Sequence, residues 1–344
     1  MIISHTSHAR MGLMGNPSDG FGGKTVTVQI SDFGAQATLW ESPGLQIVPH
    51  PNHDPFTFAS LEQLHDTAEQ DGYYGGTRLI YATCKRFYQH CRNNGVDLTE
   101  GNFTIEYDTD IPRQVGLGGS SAIVVATLRA LMQFYGVDDS DIALPVQPNL
   151  ALSVETDELD IKAGLQDRVA QIYGGLVYMD FDRDFVAEHG HGRYRRLPTD
   201  LLPTLYLAWI PHSTTTSGKA HNLVHYRFDN GDQEVIDAMK QFAGFAEQAV
   251  EALEEGDMDQ LAALMNANFD LRRRIYGDDV IGPHNMQMVQ IARDHGVPAK
   301  FTGSGGAITG IVRDQRVLPK LQEAFEAAGY NFLRVTPSSV DDAH

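Results

Sequence analysis

Residues 112–122, Pro-Arg-Gln-Val-Gly-Leu-Gly-Gly-Ser-Ser-Ala, join two segments of opposite character. Upstream, Asn-Phe-Thr-Ile-Glu-Tyr-Asp alternates apolar and polar residues, the period of a half-buried strand. Downstream, residues 121–135 are apolar on nearly every face and Gly136 supplies a stop, which predicts a helix buried in the protein. A strand feeding a buried helix through a tight turn requires a mixed architecture. Gly118, Gly119, Ser120 and Ser121 stand in a row at the junction, and such a cluster marks backbone that turns sharply or lies close against something else. A loop of small residues entering a helix presents unpaired N–H groups with the positive end of the helix dipole behind them, and so binds phosphate. Ser120 or Ser121 can cap the helix or hold a magnesium ion. The plainer alternative is a tight loop with a serine cap and nothing bound. The spacing is neither GxxxxGK[ST] nor GxGxxG.

Two more loops are built the same way. Gly303, Ser304, Gly305 and Gly306 join two strand-like segments, Ala-Lys-Phe-Thr and Ala-Ile-Thr-Gly-Ile-Val, and residues 15–24 read Gly-Asn-Pro-Ser-Asp-Gly-Phe-Gly-Gly-Lys. Each alone is compatible with a hairpin turn. Three in one chain suggest separate segments converging on a polyanion.

At 344 residues the chain is long enough for two core-forming domains. A net charge of −19 argues against general affinity for nucleic acid or anionic membrane, so any anionic ligand must be captured locally. No run of eighteen apolar residues occurs and the N-terminus lacks the design of a signal peptide, so a cytoplasmic location is expected. Cys84 and Cys91 lie on one predicted helix, roughly 10 Å apart at 1.5 Å per residue, too far for a disulfide. His50 and His53 read as a polar loop, because no further metal ligands cluster near them in sequence.

Strands are predicted at Lys-Thr-Val-Thr-Val-Gln-Ile, Ala-Gln-Ala-Thr-Leu-Trp, Gly-Gly-Leu-Val-Tyr-Met-Asp-Phe and Leu-Tyr-Leu-Ala-Trp-Ile-Pro, with a helix over 77–92. The polar connection Asp-Arg-Asp-Phe-Val-Ala-Glu-His-Gly-His-Gly-Arg-Tyr-Arg-Arg-Leu-Pro-Thr-Asp marks the expected boundary between domains at 1–190 and 200–344. Helical periodicity then dominates, with helices predicted from Gln233 to Glu255, over the segment beginning at Met258, over 285–296 and over 318–328. The fold class is α+β in both halves.

In their order along the chain, Ala-Arg-Met-Gly-Leu-Met-Gly-Asn-Pro-Ser-Asp, the central PxxxGLGxSSA and the late Lys-Phe-Thr-Gly-Ser-Gly-Gly-Ala resemble the three motifs of the GHMP kinases, ATP-dependent kinases of small metabolites. The resemblance implies two α+β domains with the active site in the cleft between them. It implies that Pro112, Gly116, Leu117, Gly118, Gly119, Ser120, Ser121, Ala122, Gly303 and Ser304 surround the ATP phosphates. Ser121 and Glu155 would hold Mg²⁺, with Glu158 as the alternative ligand, and Asp167 would stand at the catalytic aspartate's place. The segments around Asn16, Arg78, Gln166 and Arg272 are most similar to the uronic-acid kinases of that superfamily. This implies transfer from ATP to the anomeric hydroxyl of D-glucuronate, the step that feeds UDP-glucuronate synthesis. A heptose phosphate, fucose, arabinose or galactose stays open as the acceptor, as does a non-catalytic sugar and nucleotide sensor. The oligomeric state stays open too.

Phosphoryl transfer asks for position and charge rather than covalent work by the protein. Asp167 could accept or orient the hydroxyl proton, with Arg168 beside it, although Gln-Asp-Arg-Val by itself also reads as a surface ion pair. Arg10 falls where many members carry a lysine, and an arginine stabilises charge without giving up its proton. Asp19 matches the residue that holds sugar hydroxyls in galactokinase-like members, while Asn16 and Pro17 depart from their GEHxD pattern. A uronate carboxylate calls for a cation. Arg78 is the first candidate, followed by Lys24, Arg168 and the arginines at 272–274. Gly305 and Gly306 are expected near the substrate.

Overall fold

The computed structural model describes residues 1–71, 75–211 and 218–339. The first half is built on one long strand. β1 (Ile2–Met14) pairs antiparallel with residues 26–30 and 34–40 of β2 (Lys24–Glu41), and the opposite edge of β2 takes two partners in succession. After β3 (Gln46–Ile47) and the helices α1 (Leu61–Asp71) and α2 (Thr77–Asn94) comes β4 (Phe103–Thr109), which pairs with Ala35–Glu41 of β2. Beyond α3 (Gly119–Tyr135), α4 (Gln147–Ser153) and α5 (Leu165–Tyr173) comes β5 (Leu176–Asp180), which pairs with Lys24–Val28. α6 (Arg183–His189) then leads to β6 (Arg193–Leu197) on the outer edge of β5. α3 lies across β1 and β2 with residues 121–128 all buried, so its apolar character is satisfied by sheet on one side and α2 on the other.

The second half holds β7 (Thr204–Trp209), α7 (Gly218–Asp229), α8 (Gln233–Glu255), α9 (Met258–Tyr276), α10 (Asp278–Ile281), α11 (Pro283–Asp294), β8 (Lys300–Phe301), β9 (Ala307–Val312), α12 (Leu318–Ala327) and β10 (Asn331–Arg334). Its sheet runs β10–β7–β9–β8, all antiparallel. Asp232 and Asp257 cap α8 and α9 by accepting backbone N–H bonds, and Gly256 ends α8 in the left-handed conformation.

Three strand expectations change. β1 is a thirteen-residue strand that the polar sequence Ser-His-Thr-Ser-His does not advertise. The two segments predicted as separate strands are the single β2, whose pairing with β1 jumps from Gly34 to Ile30 between His8 and Ala9. Residues 31–33 form a bulge in an unbroken strand. The chain's end fills that bulge: Ser31 N donates to Thr336 O at 2.9 Å, Ser338 N to Gln29 O at 2.9 Å, and Thr336 N to the Asp32 carboxylate at 2.7 Å. The polar connection after β5 also folds, contributing α6 and β6, so the first sheet takes in residues through Leu197. Cys84 and Cys91 are free thiols. Among the described residues no helix is long and apolar enough to cross a membrane.

Candidate active site

The phosphate-type loop lies over β1, and Arg10 from that strand holds it. Arg10 is 5 % exposed. Its Nη1 donates to Gly116 O at 2.5 Å and to Thr302 O at 3.2 Å, and its backbone N donates to Leu117 O at 3.1 Å. Nε and Nη2 both reach Asp167 Oδ1, at 2.7 and 2.6 Å. One guanidinium therefore gathers the central loop, the late loop and the acidic residue of α5. The late loop presses on the central one: a Cβ at Gly116, whose φ is +73°, would lie 3.0 Å from Ser304 N, and one at Gly303 would lie 2.5 Å from Gly116 O. Glycine at both positions is what permits this approach.

Glu155 sits on a π-helical turn, Val154–Glu158, and is 2 % exposed. Ser120 Oγ donates to its Oε1 at 2.8 Å, and the Arg168 guanidinium is ion-paired with its Oε2. Burial, with the like charge of Arg10, pulls Arg168 down to about 9, while the Glu155 carboxylate lies directly against it. The serine beside Glu155 is thus Ser120, whereas Ser121 is fully buried and donates to Gly118 O at 2.9 Å. Consecutive helical residues point about 100° apart, so only one of the two can face Glu155. Glu158 pairs with Lys85 on the outside of α2. Arg168 is committed to Glu155 and to Gly164 O (2.9 Å), so it is not placed to meet a substrate anion.

The first glycine loop is held from the second half of the chain. Asn268 on α9 accepts from Gly15 N at 2.9 Å and donates to Asn16 O at 3.1 Å. Lys300, 1 % exposed, donates to Asn16 Oδ1, Gly12 O and Phe301 O at 2.6 to 2.7 Å. Burial first, then the charges of Arg272 and Arg10, hold its ammonium well below the ordinary lysine range. Arg272 donates to Gly303 O (2.8 Å) and Ser304 O (3.3 Å) and stacks over Tyr276 and Phe301. Asp19 follows, and Gly164 leaves room for it, since a Cβ there would come within 3.2 Å of its carboxylate. Burial, then the charge of Asp167, raises Asp19 to about 6, against the opposing pull of Arg10 and Arg272.

A cavity of about 510 Å³ opens beside these groups. Its walls include Arg10, Asp167, Ser120, Glu155, Pro112, Gly116, Leu117, Gly118, Gly119, Arg78 and Ser304, so most of the expected phosphate site and the acid–base candidate share one space. Ser121, Ala122, Gly303, Gly305, Gly306, Asn16, Asp19, Lys24 and Arg168 are not in those walls. Lys24 points elsewhere, to Glu247 of α8. Gly306 N donates to Asn285 at 3.0 Å, a contact that shapes the late loop from behind.

The cavity continues past the loop to His53, Tyr107, Ile111 and Leu79. Asp54 organises that wall, accepting from Tyr107 Oη (2.7 Å), Thr77 N (3.1 Å) and His50 N (3.1 Å). Gly75 and Gly76 admit this network, since Cβ atoms there would fall 1.7 Å from Asp54 Oδ1 and 2.3 Å from the Tyr107 ring. Tyr73 and Tyr74, of the same motif, lie outside the described residues. His50 and His53 gather with Asp108, yet His50 Nδ1 accepts two backbone N–H bonds and its Nε2 faces Asp108 at 3.1 Å. That pattern puts the ring proton on Nε2, where a metal would have to bind.

No motif in the sequence singles out Lys300 or Asn268, which hold the first glycine loop. Of the neighbouring arginines at 272–274 only Arg272 is buried, while Arg273 pairs with Asp278. The helical period carried a signal: Asn268, Arg272 and Tyr276 recur at four-residue steps on the face that also buries Leu264 and Leu261.

Two glycine-lined loops stitched together by an arginine, over an aspartate and a buried hydroxyl–carboxylate pair, thus border one cavity, lined by the first half of the chain and by Ser304 of the second. Residues 78–175 match the model of the GHMP kinases N terminal domain and residues 249–331 that of the GHMP kinases C terminal. The chain belongs to the GHMP kinases. It is 44 % identical to Glucuronokinase 1 of Arabidopsis thaliana over 99 % of this chain and 94 % of that protein, and 49 % identical to Probable glucuronokinase 2 of the same plant over 89 % and 83 %. Among solved structures, Lactococcus lactis galactokinase complexed with galactose superposes with a TM-score of 0.75 at 16 % identity, covering 98 % of this chain and 94 % of that one. A Lin0012 protein from Listeria innocua gives 0.78 at 14 % identity, covering 98 % of both chains.

Proposed function

We propose that this protein is an ATP- and Mg²⁺-dependent kinase that phosphorylates the anomeric hydroxyl of D-glucuronate. The observation that carries the chemistry is the Arg10–Asp167 pair set against the phosphate loop. With Oδ1 of Asp167 taken by two N–H groups of Arg10, Oδ2 is the oxygen that receives the sugar hydroxyl and its proton. Four of the five guanidinium N–H groups of Arg10 are engaged, and the remaining Nη2 hydrogen is available to the transferring phosphoryl group. Ser120 and Glu155 offer adjacent hard oxygen donors of the kind magnesium takes, and the ion, when bound, neutralises charge on the triphosphate. The wall of His53, Tyr107, Ile111 and Leu79 receives the nucleobase, and Arg78 and Arg113 in the same cavity face the nucleotide rather than the sugar acid. The sugar lies on the Asp19 side of Asp167, where the charges of Arg10 and Arg272 that act on Asp19 favour an anionic acceptor.

The acceptor is the part that the near-full-length likeness to two plant glucuronokinases supports. A panel of glucuronate, galacturonate, glucose, galactose and a heptose phosphate at equal concentration with Mg-ATP tests it. Glucuronate should turn over fastest, and equal or faster turnover of a neutral hexose would sink the assignment.

A further inference from the structure

The central loop has a feature that its glycines alone do not explain: three successive carbonyls are pinned. Gly116 O accepts from Arg10 Nη1 at 2.5 Å and Thr302 Oγ1 at 3.3 Å, and Leu117 O accepts from Arg10 N at 3.1 Å. Gly118 O accepts from Gln171 Nε2 at 2.8 Å, from Ser121 Oγ at 2.9 Å and from the backbone N–H of Ala122 at 3.0 Å, the first bond of α3. A trans peptide is planar, with its C=O and N–H pointing opposite ways. Holding these carbonyls toward β1 and α5 therefore turns the N–H groups of Leu117, Gly118 and Gly119 the other way, and all three residues stand in the cavity wall. Left-handed Gly116 and Gly118 alternate with Leu117 between them, the arrangement that makes successive N–H groups into an anion cradle.

Arg10 serves the first two carbonyls. At the third, Gln171 supplies the donor that comes from outside α3, and we propose that Gln171 is a positioning residue that aims the Gly119 N–H, at the start of α3, at the phosphates of the nucleotide. Gln171 is 1 % exposed and touches the loop rather than the cavity. Its Oε1 has no hydrogen-bond partner among the described residues, a cost that an apolar side chain of similar size would avoid. The donor end of the amide is what compensates. Gln171 also lies four residues after Asp167, on the same face of α5, so one helix presents the acceptor-side carboxylate and the donor-side anchor together. α5 thereby fixes how far the hydroxyl sits from the phosphoryl group, the quantity that in-line transfer depends on.

The inference rests on reading the cleft as a nucleotide site. Its test uses Gln171→Met, which keeps length without a donor, and Gln171→Glu. Affinity for a non-hydrolysable ATP analogue is measured by calorimetry without sugar, beside kcat, the two KM values and thermal stability. For Gln171→Met the analogue Kd should rise about fivefold, the worth of one net hydrogen bond, with kcat reduced and the KM for glucuronate within about twofold of wild type. In Gln171→Glu a protonated carboxyl can still donate to Gly118 O and an ionised one repels it, so analogue affinity should fall between pH 6 and pH 8 relative to wild type. A purely structural glutamine would give neither effect. An unchanged Kd in Gln171→Met with lowered stability, or a Gln171→Glu affinity that tracks wild type across pH, overturns the proposal. If wild type binds the analogue but does not turn over glucuronate, the sugar assignment falls while the affinity comparison still decides on Gln171. If wild type binds no nucleotide, both fall.

Discussion

Arg10 places Nε and Nη2 on the same oxygen of Asp167, Oδ1, at 2.7 and 2.6 Å, while Oδ2 is 3.7 Å from Arg168. The carboxylate is thus fixed in orientation by one oxygen and left to act through the other. Because the same guanidinium holds Gly116 O and Thr302 O, the position of the acid is tied to both glycine loops. In the proposed reading chemistry and phosphate binding share one support, and substitution should separate them.

Asp167→Asn keeps the side chain's size and an oxygen for Arg10 while removing the charge that receives the hydroxyl proton. Turnover should fall by about 10² to 10⁴-fold, the usual contribution of a positioned acid or base. Nucleotide affinity should stay close to wild type, since the loop's carbonyls keep their partners. A single-turnover rate within a factor of about three of wild type would remove Asp167 from the mechanism.

Ser120 and Ser121 should part company. Ser120→Ala removes the hydroxyl beside Glu155, and the magnesium concentration for half-maximal rate should rise several-fold. Ser121→Ala removes a donor to Gly118 O, so it should weaken nucleotide affinity and leave magnesium dependence nearly unchanged. A magnesium titration of both variants checks this, and the reverse pattern would return the metal to Ser121.

How legible the site was depended on whether a signal was local. The central loop, the buried helix behind it and the late hairpin announce themselves because glycine clusters abut apolar runs of fixed period. The choice between adjacent serines does not, since both occupy the same sequence context and only the rotation of α3 separates them. β1 and β2 are obscured because Ser31 and its neighbours interrupt the alternation between two strand segments, whereas a bulge packed against residues 336–338 keeps the strand continuous. Arg168 was open to reading as a surface ion pair with Asp167, but its partner Glu155 is thirteen residues away and buried with it. Gln171 acts on a backbone carbonyl and Lys300 on two of them besides Asn16 Oδ1, and no side-chain pattern records such carbonyl contacts.

Gly76→Ala probes the wall that Asp54 organises. Its Cβ would fall 2.3 Å from Tyr107 Cζ, so the ring must move and the Asp54–Tyr107 hydrogen bond should be lost. A cost of about 1–3 kcal/mol is expected, with a raised KM for ATP and little change in KM for glucuronate. Gly44→Ala, where nothing lies within 4 Å, is the control and should melt with wild type. Equal melting temperatures for the two variants would mean that Gly76 carries no packing constraint.

The pH dependence should report Asp19. Burial and the charge of Asp167 raise it from 3.8 to about 6, so between those values the folded protein binds more protons at this site than the unfolded chain. Stability then falls as pH rises, because the slope follows protons bound unfolded minus folded, which is negative here. The contribution is fully present below 3.8 and is lost as pH passes through about 6. Asp19→Asn cannot titrate, so its melting temperature relative to wild type should climb between pH 4 and pH 7. Function should move the opposite way. The ionised carboxylate is the better acceptor for sugar hydroxyls, so wild-type kcat/KM for glucuronate should rise through a midpoint near 6, while Asp19→Asn should stay low and lack that rise. A melting difference that stays constant across this range would show that Asp19 does not titrate there, and its place on the sugar side of the cleft would lose its electrostatic support.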